Sequence, residues 1–223
     1  LAINKANTPL STKIVLIILI IAFAMSFVSV GAGLFSCSSD TGGQEQQDPD
    51  VAAVEDDNAI NANYQSMVEM YEAKLQSDPE DYQTLVSLGN TYFDWADGVS
   101  KAADTASDVA QMLVGKSLWE ASADAYARAL KVRSDEAPVW VDYSTALFYS
   151  EETTQAIEAA LAASKADPEF ASAWYNLGIY YENSGQNDLA VEAYKKAVAT
   201  DPSGAQIDLV HAKQKIAQSE SGD

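Results

Sequence analysis

Residues 171–204 read ASAWYNLGIYYENSGQNDLAVEAYKKAVATDPSG, and their spacing describes two helices joined by a short turn. Trp174, Leu177 and Tyr181 recur at i, i+3 and i+7, which draws one apolar stripe along a first helix. Gly178 lies inside that stripe, where the lack of a side chain lets a partner helix approach closely. Ala190, Tyr194 and Ala197 form the facing stripe of a second helix, and Asp201-Pro202 ends it. The proline ring removes a backbone donor and disfavours helical geometry in the residue before it.

A single helical hairpin cannot bury its apolar face alone, so one such unit predicts neighbours. Asp167-Pro168 lies 34 residues before Asp201-Pro202, and residues 137–170 repeat the pattern with Trp140, Tyr143 and Leu147 in the first helix and Ala156, Ala160 and Ala163 in the second. Ser144 stands where Gly178 stands in the later unit. Upstream, Leu85, Leu88, Gly89 and Tyr92 fit a first helix, whereas Ser122, Tyr126 and Ala129 fit a second helix 21 residues too late. Asp78-Pro79 agrees, at 89 residues before Asp167, two periods of 34 plus 21. Residues 82–136 are therefore read as a first unit carrying a 21-residue insertion, and residues 59–79, with Met67 and Tyr71, as a lone second helix that caps the array. Residues 205–218 are read as a capping helix at the other end.

The pattern Trp-x2-Leu-Gly-x2-Tyr, then Ala-x3-Tyr-x2-Ala-x4-Pro, resembles the tetratricopeptide repeat. That resemblance implies an all-α, right-handed solenoid of antiparallel helix pairs, used to bind protein or peptide partners. It assigns Trp140, Trp174, Tyr92, Tyr126, Tyr181 and Tyr194 to packing between helices. It also implies a concave groove lined by the second, fifth, ninth and twelfth positions of each first helix. Here these are Gln83, Val86, Asn90 and Phe93; Pro138, Val141, Thr145 and Phe148; Ser172, Tyr175, Ile179 and Glu182. Members that hold a chaperone's terminal carboxylate do so with Lys, Asn and Arg at the fifth and ninth positions. Val86, Thr145, Tyr175 and Ile179 occupy those positions here, only Asn90 fits, and the clamp is absent. The remaining groove is expected to suit an apolar or amphipathic segment.

Residues 14–35 contain no charge and are long enough to span a bilayer. Lys5 and Lys13 precede them, which places the short N-terminus, residues 1–13, in the cytoplasm and the repeats outside. Leu34-Phe35-Ser36-Cys37 resembles a bacterial lipobox, although Phe35 departs from it. Two outcomes stay open: cleavage with lipidation of Cys37, or an uncleaved signal anchor. Cys37 is the one cysteine, so no intrachain disulfide is available. Residues 36–58 read as a flexible polar and acidic tether.

The formal net charge is −20, all 33 Asp and Glu residues lie beyond Cys37, and two of the 13 Lys and Arg residues precede it. Such a surface keeps a domain soluble and makes nucleic acid a poor partner, because no basic face is present to release counterions. No catalytic, cofactor-binding or metal-binding constellation is read, and the lone His211 lies in the C-terminal capping helix. In the insertion, Ala102, Ala103, Ala106, Val109, Ala110, Leu113 and Val114 recur at helical spacing, with Gly98 and Gly115 expected as breaks. The functional expectation is a membrane-tethered, non-enzymatic scaffold on the outer side of a bacterial cell membrane. It would hold a segment of another envelope protein within a secretion or assembly complex. A chaperone-like holder of exported chains and a self-associating structural protein are the alternatives.

Overall fold

A computed structural model describes residues 49–106 and 108–221. The described residues form eight helices and no strand: α1 (Pro49–Ser77), α2 (Tyr82–Ala106), α3 (Val109–Val132), α4 (Ala137–Tyr149), α5 (Thr153–Ala166), α6 (Ala171–Asn183), α7 (Asn187–Thr200) and α8 (Leu209–Ser221). Short turns join α2 to α3, α4 to α5 and α6 to α7 as hairpins, and each hairpin packs on the next. The first helices α4 and α6 also touch directly. A continuous core runs through the stack, with Leu85, Leu88, Tyr92, Leu118, Tyr126, Leu177 and Tyr194 fully buried.

The residues that defined the repeat each have an identifiable task. Trp174 and Trp140 are only partly buried, and their indole Nε1 atoms donate to the carbonyls of Pro168 (2.9 Å) and Ser134 (2.8 Å). Each thus fastens the loop that precedes its own helix. The Asp-Pro turns are held from both sides. Proline stops the helix, and the Asp167 carboxylate accepts the Glu169 N–H at 2.9 Å. Asp201 accepts from Ser203 Oγ, from the Gly204 N–H and from the Gln206 N–H. The hydrogen bond from Ser203 and those backbone donors hold its carboxyl below the ordinary carboxylate range.

Gly98 and Gly115 do not break the insertion. The extra residues lengthen both helices of the first hairpin, and the Asp108 side chain caps α3 by accepting from the Ala110 and Gln111 N–H groups. Gly98 is exposed between Asp97 and Val99, and a Cβ there would meet nothing, so one glycine costs the helix only about 1 kcal/mol. At Gly115 a Cβ would lie 2.6 Å from Ser100 Oγ, so this glycine marks the close crossing of the two lengthened helices.

The expected tether is shorter than read. Residues 49–58 already belong to helix α1. The C-terminal helix is displaced: it begins at Leu209 because the Asp208 carboxylate accepts the His211 N–H at 2.9 Å and caps it there. Helix α1 packs on α2 through Val68 and Leu75, and Tyr64 stacks on Trp95 with ring centroids 5.8 Å apart. Trp95 Nε1 donates to Asn61 Oδ1 at 2.7 Å. The apolar run 14–35 and Cys37 lie outside the described residues; among those described, no helix is long and apolar enough to cross a membrane.

Candidate functional site

The first helices α2, α4 and α6 carry the residues read as groove-lining. On α2, Gln83 and Asn90 are exposed and Val86 and Phe93 are half-buried. On α4, Pro138 is exposed while Val141, Thr145 and Phe148 are half-buried; on α6, Ser172, Tyr175, Ile179 and Glu182 are half-buried. Not all of them are equally free.

At the α6 end the terminal helix α8 reaches over the set. Tyr175 OH and His211 Nδ1 are hydrogen-bonded at 3.2 Å, and Lys215 Nζ pairs with Glu182. Tyr194 OH donates to the other Glu182 oxygen at 3.0 Å. Burial pushes the Glu182 carboxyl up, but the hydrogen bonds from Lys215 and Tyr194 outweigh it and hold it below its ordinary value. Beside this pair α7 and α8 enclose a half-open cavity of about 360 Å³ that includes Asn187, Ala190 and Gln218. The Tyr175 and Glu182 side chains are thus tied into the end of the stack.

The α2 and α4 stretch differs, because aromatic rings run across it. Phe93 meets Trp119 of α3 edge-on, with centroids 4.7 Å apart, and Trp119 stacks on Tyr149 of α4 at 4.8 Å. Tyr149 meets Phe148 edge-on at 5.7 Å, and Phe148 stacks on the buried Tyr180 of α6 at 4.7 Å. Tyr149 remains 55% exposed. The lengthened hairpin braces this strip: Trp119 Nε1 donates to Ser100 Oγ at 3.1 Å, and Lys116 of α3 pairs with Glu151 in the turn after α4.

Polar groups lie along the seams between first helices. Tyr126 OH donates to Asn90 Oδ1 at 2.8 Å. Thr145 Oγ1 accepts from Asn176 Nδ2 at 3.2 Å, and Tyr180 OH lies 3.2 Å from Ser144 Oγ. Burial, and then the charges of Asp142 on α4 and Asp94 on α2, keep the Tyr126 hydroxyl protonated. Burial, and then the nearby Asp94, push the Asp142 carboxyl up to about 6. Tyr149, Asp94 and Asp142 were absent from the sequence-derived set. The signal for Tyr149 was its place after Phe148, and that for the aspartates was a pair of acids in helices otherwise rich in apolar residues.

Among the described residues no group of three or more His, Cys, Asp or Glu side chains is arranged to hold a metal ion. The arrangement offers apolar and aromatic contact area with hydrogen-bonding groups beside it, which is the chemistry of segment recognition.

Comparison with known proteins gives the geometry its family context. Residues 141–205 match the tetratricopeptide repeat. Those residues span most of α4 through α7, two successive hairpins of the stack. Small glutamine-rich tetratricopeptide repeat-containing protein 2 of Mycosarcoma maydis is 31% identical over 107 residues, 47% of this chain and 30% of that protein. The chain therefore spans less than a third of that relative's length. The crystal structure of MamA is similar with a TM-score of 0.57 at 24% identity, over 75% of this chain and 84% of MamA. A MamA RS-1 double mutant gives 0.53 at 16% identity, over 74% and 85%. At such identities the likeness is one of fold, and it takes in about three quarters of this chain.

Proposed function

We propose that this chain is a non-enzymatic scaffold that binds a segment of another protein across the face formed by α2 and α4. The carrying observation is the aromatic strip of Phe93, Phe148 and the exposed Tyr149, supported from behind by Trp119 of the lengthened hairpin. Tetratricopeptide repeats generally mediate protein and peptide binding, and the missing carboxylate clamp directs this groove toward apolar contacts instead of a terminal carboxylate. Burial there supplies about 25 cal/mol per Å² of apolar area before ordering costs are met.

The same reading places the repeats on the outer side of a cell membrane, tethered through residues 14–35 or through lipid on Cys37. The uncharged run behind Lys5 and Lys13 supports it. Crosslinking in native membranes, followed by identification of the captured proteins, tests the scaffold. Val141→Glu with Tyr149→Glu should abolish capture while helical content is kept; undiminished capture by the double variant removes this face from the proposal. Alkaline extraction and protease accessibility of the full chain test the tether, and release into the soluble fraction rejects it.

A further inference from the structure

The groove-lining stretches of the three first helices share an electrostatic property. No Lys or Arg occurs in residues 82–100, 137–149 or 171–183, so the groove-lining stretches contain no cation at all. They do contain Asp94 on α2 and Asp142 on α4, both near enough to the Tyr126 hydroxyl, which donates to Asn90, to oppose its ionisation. Three cations close to the α2 and α4 stretches have acidic partners of their own. Lys101 pairs with Asp97, Lys116 with Glu151, and Arg133 lies over the Tyr82 ring and pairs with Glu136.

Resting on the proposed function, we infer that the α2 and α4 face takes a cationic amphipathic segment of another protein, with apolar side chains on the Phe93–Phe148–Tyr149 strip and a Lys or Arg at the Asp94–Asp142 seam. Charge complementarity selects this occupant. Two like charges close together, one of them partly desolvated, repel, and a bound cation converts that repulsion into attraction. A second copy of the chain is disfavoured because each copy carries a net charge of −20. The chain's own run 14–35 contains no charge to meet the seam. An acidic peptide tail, the ligand of a carboxylate clamp, would meet only like charge. The raised Asp142 carboxyl adds a dependence: the cation is held by the ionised seam, so binding weakens as pH falls through about 6.

Two fluorescein-labelled 16-residue peptides test this against the full chain in non-ionic detergent. Both carry the same Leu and Phe face; one has Lys at every polar position and the other Glu. Anisotropy titrations should give the Lys peptide at least tenfold tighter binding. Asp94→Asn with Asp142→Asn should cost that peptide fivefold or more, whereas Glu158→Gln with Glu169→Gln, which removes equal charge from exposed sites off the strip, should leave it unchanged. Equal weakening by both double variants shows only diffuse attraction to an acidic domain and overturns the inference. Equal affinity of the two peptides, both lost on Val141→Glu with Tyr149→Glu, overturns it while leaving the groove standing. Binding of neither peptide rejects groove and charge selection together.

Discussion

Gly178 lies directly under the ring of Tyr194: a Cβ added to this glycine would be 2.4 Å from Tyr194 Cε1. The first hairpin repeats the contact, with Gly89 under Tyr126 and a virtual Cβ 2.6 Å from the same ring atom. In the middle hairpin both partners change together. Ser144 takes the glycine's place, and Ala160 stands where the tyrosine would be, so the small residue has moved from one helix to the other. The hydroxyl that Ser144 brings is hydrogen-bonded to the Val141 carbonyl at 2.7 Å, so its burial leaves no orphan.

This exchange predicts strong coupling between the two positions. Gly178→Ala should destabilise by about 1–3 kcal/mol through overpacking, despite the better helix propensity of alanine. Tyr194→Ala should cost about 3–5 kcal/mol. The double variant should fall short of the sum by about 1 kcal/mol or more, because alanine at 178 no longer meets a ring. Urea denaturation of the four proteins measures the cycle, and strict additivity would show that the ring moves aside freely.

Much of the fold was legible because each of the last two hairpins states its register twice, once in the stripe around Trp140 or Trp174 and once in Asp-Pro. The lengthened hairpin was legible only as 21 surplus residues. Glycine is read as a break when nothing else is known, yet Gly115 serves a close helix crossing that only the partner, Ser100, explains. The site was harder for a similar reason. Positions along a helix indicate a face, but whether α8 reaches over Tyr175, or Trp119 supports Tyr149, depends on residues 36 and 30 positions away.

Glu151 adopts φ 70°, the left-handed region, at the position where the next hairpin has Gly185 with φ 76°. Both residues follow a first helix and both turns close alike, with N–H donors from Glu151 and Gly185 reaching back to the Phe148 and Glu182 carbonyls. A side chain costs roughly 1–2 kcal/mol in this conformation. The Lys116 pair, whose carboxylate partner is mostly exposed, returns less than about 1 kcal/mol. Glu151→Gly should therefore stabilise by about 0.5–1 kcal/mol, and Gly185→Ala should destabilise by about 1 kcal/mol, both read from thermal melts. A loss of stability in Glu151→Gly would mean that the link between the long hairpin and α4 outweighs the backbone strain.

Asp142 and Asp201 oppose each other in their pH dependence. The folded protein raises the Asp142 carboxyl to about 6 from an ordinary 3.8, so the native state binds this proton more tightly than the unfolded chain. Its penalty is absent below 3.8, grows as pH rises through that window and is complete above 6, where it amounts to on the order of 1–3 kcal/mol. Asp201 is lowered, so its contribution is present above its ordinary value and is lost as pH falls through the depressed one. Asp142→Asn should raise the melting temperature at pH 7 and leave it nearly unchanged near pH 4. A variant more stable in this way yet poorer at holding a cationic segment separates loss of binding from loss of fold.

Helix α8 occupies the place that the first helix of a further hairpin would take, and the stack depends on it. Ala212 is fully buried against the region of Ala190 and Tyr194, with Ile216 packed alongside, and the His211 ring stands edge-on to both Tyr175 and Tyr194. In a solenoid each unit is stabilised by its neighbours, so uncovering the last hairpin removes a whole interface term. Deleting residues 209–221 should lower stability by about 3–5 kcal/mol, the worth of two or so buried side chains. Ala212→Asp should approach that loss with the chain length unchanged, because it forces an unpaired carboxylate into the same contact. Lys215→Ala, which removes a half-exposed partner of Glu182, should cost under about 1 kcal/mol. Chemical denaturation ranks the three, and a Lys215→Ala effect as large as the deletion would place the hold of α8 in the ion pair instead of in the apolar contact.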